Sequence, residues 1–222
     1  MLQEPVVDRR AALKNRHRQA IVDAAAALMD ERSGTDFTVE ELAERADVSR
    51  RTVFNRFSSL DDVVVEVCSD ALGSVIEGLA NVPLGDGTNA SMVEEMAAVL
   101  RGADLVGPLA YLTRVLGRPA RQPSPRQALL TLRVFTEVSN LLFAAILLRR
   151  PDADKLSLHL LVGSLTGGVG VLYHHWAAET GAVDTPESRR VWAELQEALL
   201  EKIRFGYAAG LDAHSTPESL HP

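Results

Sequence analysis

The segment VSRRTVFNRFSSLDDV, Val48 to Val63, places Arg50, Arg51 and Arg56 within seven residues. Guanidinium groups so close together either coat a solvated helix or meet an anion, and their neighbours decide which. Thr52, Asn55, Ser58 and Ser59 add hydroxyl and amide groups, which bond phosphate oxygens and base edges. At 100° per residue Val53 and Phe57 share one side of a helix, Arg51, Thr52 and Asn55 point roughly the other way, and Arg50 projects from the first turn. The pattern buries an anchor and turns the polar groups outward. An arginine so placed offers two parallel donors to guanine O6 and N7, an asparagine pairs with adenine, and Arg56 on the flank suits phosphate. The chemistry is recognition of a polyanion.

The flanking residues dictate how such a helix is held. Upstream, Thr38 with Glu41 three residues on forms a capping box, which predicts a helix from Val39 to Ala46. Asp47-Val48 leaves almost no connection, and Ser49 is a fresh N-cap, so the next helix turns sharply away as the second member of a helix-turn-helix. Asp47 tolerates the left-handed backbone such a turn needs. Ahead of this pair, Ile21, Ala24, Ala25, Leu28 and Met29 repeat on one face of a first helix, about Arg16 to Glu31, which Ser33-Gly34 ends. Arg9, Arg10, Lys14, Arg16 and Arg18 form a basic arm that adds charge along a nucleic-acid backbone or in a minor groove.

The stretch FTVEELAERADVSRRTVFNRFSSLDDVVVEV resembles the DNA-binding domain of the tetracycline-repressor (TetR) family. The resemblance rests on Phe37, Thr38, Val39, Leu42, Ala43, Ala46, Val48, Ser49, Thr52, Phe57, Ser59 and Val63 at ungapped spacing, and with the first helix it covers about fifty residues. It implies a DNA-contacting set of Arg16, Thr38, Ser49, Arg50, Arg51, Thr52, Phe54, Asn55, Arg56 and Ser59. Three positions depart from the family pattern. Phe54 replaces a usual tyrosine and so lacks a hydroxyl for phosphate. Arg56 replaces a histidine as a stronger phosphate ligand, and Leu60 replaces the lysine at the head of helix 4.

Composition bounds the rest. The chain has 222 residues, 46% of them hydrophobic and 24% charged, with few aromatics, which suits a globular helical protein. Its formal net charge is −7, yet residues 1–60 hold ten Lys/Arg and ten Asp/Glu, so the whole deficit lies in residues 61–222. The lone Cys68 lies in an apolar run and reads as a buried thiol in a reducing cytoplasm. No signal sequence opens the chain, and the apolar runs Leu141 to Leu148 and Leu156 to Trp176 are short or interrupted, so they read as buried helices and no membrane partner is expected.

Helix 4 is expected from Val63 to about Ala80, and 81–89, rich in Gly, Pro and Asp, is the clearest break. Further helices follow from Ser91 to Arg101, Leu109 to Leu116, Arg126 to Arg150, Ala153 to Thr180, and Pro186 to near Gly210. The expected fold is all-α with about nine helices. Residues 1–60 form an N-terminal three-helix helix-turn-helix DNA-binding domain, residues 61–210 a C-terminal helical bundle for ligand binding and dimerisation, and residues 211–222 a frayed tail.

Helix 8 is apolar over most of its circumference, more than one bundle core covers. Four glycines, each weakening a helix by about 1 kcal/mol, call for close helix approach as compensation. The resemblance implies a homodimer through helices 8 and 9, with Leu160, Gly163, Gly167, Val171, Trp176, Val191, Leu195, Leu199 and Ile203 as interface candidates. It also implies a small-molecule effector in the bundle of helices 4 to 8. Met92, Met96, Leu100, Tyr111, Leu112, Phe135, Phe143 and Tyr173 are the candidates for a mostly apolar lining, and Arg133, Glu137 and His159 for groups that face inward and orient the ligand.

Enzymatic motifs do not emerge: there is no P-loop, no GxGxxG after a strand and no GxSxG. His174-His175 point about 100° apart on a helix, without companion ligands, so no metal and no cofactor are expected. The leading expectation is a ligand-responsive dimeric transcriptional regulator, a repressor released from a palindromic operator by an apolar effector. The alternative is a small-molecule-binding helical protein that has lost operator binding.

Overall fold

Caps and breakers set the element order. In the computed structural model, residues 9–73, 76–78, 82, 89–119 and 123–206 are described. No strand occurs among them, 76–78 are helical, and nine helices have both ends described: α1 (Arg9–Arg32), α2 (Val39–Arg45), α3 (Arg50–Phe54), α4 (Leu60–Ala71), α5 (Asn89–Gly102), α6 (Val106–Leu116), α7 (Pro125–Arg149), α8 (Lys155–Thr180) and α9 (Pro186–Phe205). The all-α expectation holds. The chain divides into two compact units, Met1–Gly73 with Gly107–Val138, and Ser74–Val106 with Ser139–Pro222.

In the first unit α1 packs on α2 and α4, and α2 packs on α3. The apolar face read from the sequence is the one buried: Ile21, Ala24, Ala25, Leu28 and Met29 join Leu42, Val53, Phe57, Val63 and Val64 in the core. Each large side chain among these contributes about 1.5–3 kcal/mol by leaving water. α1 closes at Ser33, which takes the left-handed conformation (φ 49°), and the Gly34 amide reaches back to the Met29 carbonyl at 3.2 Å. The boundaries differ from expectation most at the start of α1 and the end of α4, while α9 ends at Phe205 rather than near Gly210. α1 is already helical from Arg9 rather than from about Arg16, so the basic arm from Arg9 to Arg18 is part of the helix.

α4 stops at Ala71 instead of running to Ala80. The Leu72 and Gly73 amides bond the carbonyls three residues back, Ser69 at 3.1 Å and Asp70 at 2.9 Å, which tightens and ends the helix. A Cβ at Gly73 would stand 2.9 Å from the Asp70 carbonyl oxygen, so the turn requires glycine.

In the second unit α8 and α9 pack together and α9 packs on α5. The Trp176 indole donates to the Ser188 carbonyl at 3.0 Å and meets Trp192 edge to face at 5.9 Å. Arg101 bonds Glu197 through two nitrogens, at 2.7 and 2.8 Å, and so ties α5 to α9. Thr185 caps α9 ahead of Pro186, as the sequence implies. Gly168 lies so close to Leu199 that a Cβ there would stand 2.4 Å from Leu199 Cδ1.

The apolar character of α7 and α8 is only partly explained by burial. Of the most apolar stretch of each helix, 28% in α7 and 33% in α8 is buried, which corrects the reading of both as buried helices. The tail 211–222, expected to fray, and most of the 81–89 break lie outside the described residues.

Candidate nucleic-acid interface

The capping box forms as the sequence requires. The Thr38 hydroxyl accepts from the Glu41 amide at 3.3 Å, while Glu41 Oε2 accepts from the Thr38 amide at 2.8 Å. Arg32 donates to the same carboxylate at 2.6 Å. Its guanidinium, followed by the Thr38 amide and hydroxyl, pulls the Glu41 carboxyl down to a pKa of about 2. Thr38 is exposed, with its hydroxyl inside this box.

Asp47 takes the left-handed conformation (φ 50°), and the Val48 amide returns to the Ala43 carbonyl at 3.0 Å, which closes the turn between α2 and α3. Ser49 caps α3: its Oγ accepts from the Thr52 amide at 3.1 Å and lies 2.9 Å from the Thr52 hydroxyl. Val53 and Phe57 are buried, whereas Arg50, Arg51, Phe54 and Asn55 are exposed, with Phe54 half open to solvent at 51%. Thr52 and Arg56 are half-buried. α3 is therefore a five-residue helix pinned by Val53, with Asn55 as its C-cap.

The cations differ in their engagements. Arg50 pairs with Glu40 of α2 at 2.7 Å, both side chains largely exposed. Arg51 and Arg16 are exposed and form no ion pair among the described residues. Arg56 keeps its Nε buried without a hydrogen-bond partner among those residues. Arg18, assigned by sequence to the arm, ties α1 to the α3–α4 junction. It pairs with Glu66, donates to the Arg56 carbonyl at 3.3 Å, and lies 4.5 Å over the Phe57 ring.

Ser59 caps α4, accepting from the Asp62 amide at 3.1 Å. Arginines from α6 and α7 bond the same unit: Arg114 to Asp30 at 2.6 Å, Arg126 to Asp61 at 2.9 Å, and Arg133 to Asp62 at 2.5 Å. The Arg133 guanidinium holds the Asp62 carboxyl below the usual carboxylate range. Sequence reading missed these pairs, because partners 65 to 84 residues apart leave no local signal.

The remaining site expectations divide between the units. Tyr111, Leu112 and Phe135 lie in the first, where the Tyr111 hydroxyl is buried without a partner among the described residues. Burial pushes both that hydroxyl and the Cys68 thiol up to about 12. Met92, Met96, Leu100, Phe143 and Tyr173 lie in the second unit, with all but Phe143 buried. A cavity of about 310 Å³ in that unit is lined instead by residues that include Arg101, Leu105, Val106, Arg189 and Trp192, and by none of the eight. Arg133 pairs with Asp62 and Glu137 is exposed; His159 is exposed and stacks on Phe143 at 3.7 Å, so none of the three is an inward-facing ligand group as expected.

Among the dimer candidates, Trp176 is fully buried inside its own unit, which removes it from any face a second chain could cover. Val191 and Leu199 are also buried, and Leu195 and Ile203 are half-buried. Leu160, Gly163, Gly167 and Val171 are exposed, and with Leu156 they form one stripe along α8. Among the described residues no three His, Cys, Asp or Glu side chains gather as a metal site.

The model for bacterial regulatory proteins, tetR family, matches residues 21–67. No curated protein matches the chain. Among solved structures, the fatty acid degradation regulator FadR from Bacillus halodurans is 17% identical, with 92% of this chain and 99% of that one covered and a TM-score of 0.45. FadR from Bacillus subtilis, solved in complex with stearoyl-CoA, is 18% identical, covering 85% of this chain and 98% of that one at a TM-score of 0.43. A TetR-family transcriptional regulator from Streptomyces coelicolor is 21% identical, with 86% and 98% covered and a TM-score of 0.46. The matched residues 21–67 carry the helix-turn-helix, and over that segment the chain is similar to the tetR family of bacterial regulatory proteins.

Proposed function

We propose that this transcriptional regulator is a dimeric repressor that binds a palindromic operator through α3 and leaves it when a small, largely apolar effector binds. The observation that carries the DNA reading is the presentation of α3. Val53 and Phe57 anchor it while Arg50, Arg51, Phe54 and Asn55 face solvent. Arg50 and Arg51 would read guanine and Asn55 adenine, Phe54 would touch a thymine methyl or sugar, and Arg16, Thr38, Ser49, Thr52, Arg56 and Ser59 would hold the backbone. The half-site reading requires two copies of α3 about one DNA turn apart.

The exposed stripe Leu156, Leu160, Gly163, Gly167 and Val171 supports dimerisation through α8, and Leu195 and Ile203 of α9 are half-buried. A second copy of the chain covers that stripe at the least cost, since its small residues admit close helix approach. For the effector, Met92, Met96 and Leu100 give α5 a buried apolar face. The reading head spans 1–60 and the effector and dimer region 61–210, and the protein works in the cytoplasm.

Selection of duplexes from a random-sequence library by the full chain tests this reading. The expected enriched sequence is an inverted repeat with half-site centres about 10 base pairs apart, or a multiple of that spacing. Enrichment of nothing beyond random sequence favours the alternative of a ligand-binding protein that no longer reads an operator, for which the Arg50–Glu40 pair speaks.

A further inference from the structure

Asp61 and Asp62 occupy the first turn of α4, directly after Ser59, whose Oγ accepts from the Asp62 amide. Carboxylates are at home there with respect to the helix dipole, yet they lie within one turn of a residue proposed to touch phosphate. Leu60 supplies no cation between them. Left alone, this turn would repel a duplex.

α7 supplies the missing charge. Arg126 and Arg133 are seven residues apart, two helical turns, and so share one face of the helix. Arg126 donates to Asp61 Oδ1 through Nε at 3.1 Å and Nη2 at 2.9 Å, and to the Thr35 hydroxyl through Nη1 at 3.2 Å. Arg133 donates to Asp62 Oδ1 at 2.5 Å. The side chains are a quarter to a half exposed, and ion pairs so exposed add little to folding. Their larger consequence is electrostatic.

We propose that Arg126 and Arg133 are positioning residues for DNA binding: they pair Asp61 and Asp62, cancel two negative charges beside the duplex-facing surface, and hold the first turn of α4 with Ser59 as its cap. The inference rests on the DNA-reading proposal above. It assigns α7 a part in the affinity of a surface it does not itself form.

The test is fluorescence anisotropy of the full chain on a labelled 30-base-pair random-sequence duplex at low salt, with thermal melts in parallel. Replacing both residues, Arg126→Gln with Arg133→Gln, is expected to weaken binding about three- to tenfold, the order expected when two unit charges near a duplex are left uncancelled in a largely aqueous medium. Adding Asp61→Asn and Asp62→Asn to that chain should restore affinity to within about twofold of wild type, a recovery that loss of a purely structural contact would not give. Should the arginine variant fail to fold, Asp61→Asn with Asp62→Asn alone, arginines intact, is expected to tighten binding about threefold. Wild-type affinity in the arginine variant, a loss that the asparagines do not recover, or unchanged affinity in the aspartate variant each overturn the inference alone. A wild-type chain that binds no duplex overturns the DNA-reading proposal along with it.

Discussion

Arg50 and Arg51 are adjacent in sequence and meet different surroundings. Arg50 is held by Glu40, and Arg51 stands in solvent. Under the proposed reading, a base contact by Arg50 would exchange one partner for another, whereas Arg51 would reach a guanine without breaking a pair, so Arg51 should be the stronger determinant of sequence. Arg51→Ala should cost about 1–3 kcal/mol on the selected operator and relax the preference at one position, while Arg56→Ala should weaken all duplexes alike. Binding curves on operator and scrambled DNA separate the two; equal losses on every sequence from both substitutions would reverse the roles. Acid titration reads the other informative residue. Glu41 titrates near 4.5 when unfolded and at about 2 when Arg32 and Thr38 surround it. A depressed carboxyl contributes stability that is complete above the unfolded value and is lost as pH falls from there toward the folded one. A melt of wild type should thus weaken between pH 4.5 and 2, and Glu41→Gln should flatten that decline; an unaltered acid limb in the variant would remove Glu41 from the account. The sequence made both sites legible because capping and turn chemistry act within four residues. Arg18 was not, since its partners Arg56 and Glu66 lie 38 and 48 residues away.

At the scale of the element, the glycines of α8 divide by environment rather than by sequence. Gly168 lies against Leu199, where a Cβ has no room, whereas Gly163 and Gly167 have nothing within 4 Å. Gly168→Ala sets a helix-propensity gain of about 1 kcal/mol against overpacking of about 1–3 kcal/mol, and should lower the melting temperature. Gly163→Ala with Gly167→Ala should instead stabilise an isolated chain by up to about 1 kcal/mol per site and weaken self-association, because the added methyls hold two helices apart. Melting curves together with sedimentation at several concentrations read both effects; unimpaired association in the double variant would place the dimer contact elsewhere. Periodicity located α8 and its surplus of apolar surface. It could not assign Trp176 to the chain's own core, because a helix with apolar residues all round has no pattern that marks which side faces inward. The end of α4 escaped for a related reason. Val75, Ile76 and Leu79 continue the helical spacing beyond Gly73, so the apolar pattern runs on past a turn set by one residue's missing side chain.

For the whole molecule, the governing fact is the separation of charge. The chain carries −7 overall and is neutral over residues 1–60, so attraction to a duplex depends on the local surface of α3 and its supports rather than on net charge. Phosphate contacts release condensed counterions, each adding about 0.9 to the slope of log affinity against log salt, whereas a small molecule held by apolar contact shows no such dependence. The most direct measurement is a titration of the purified chain on its own upstream intergenic duplex over a range of salt concentrations. Specific binding that falls steeply with salt, together with a smaller slope after Arg56→Ala, is the predicted result. Affinity that is the same on scrambled DNA, or that does not change with salt, would contradict a reading head built on α3.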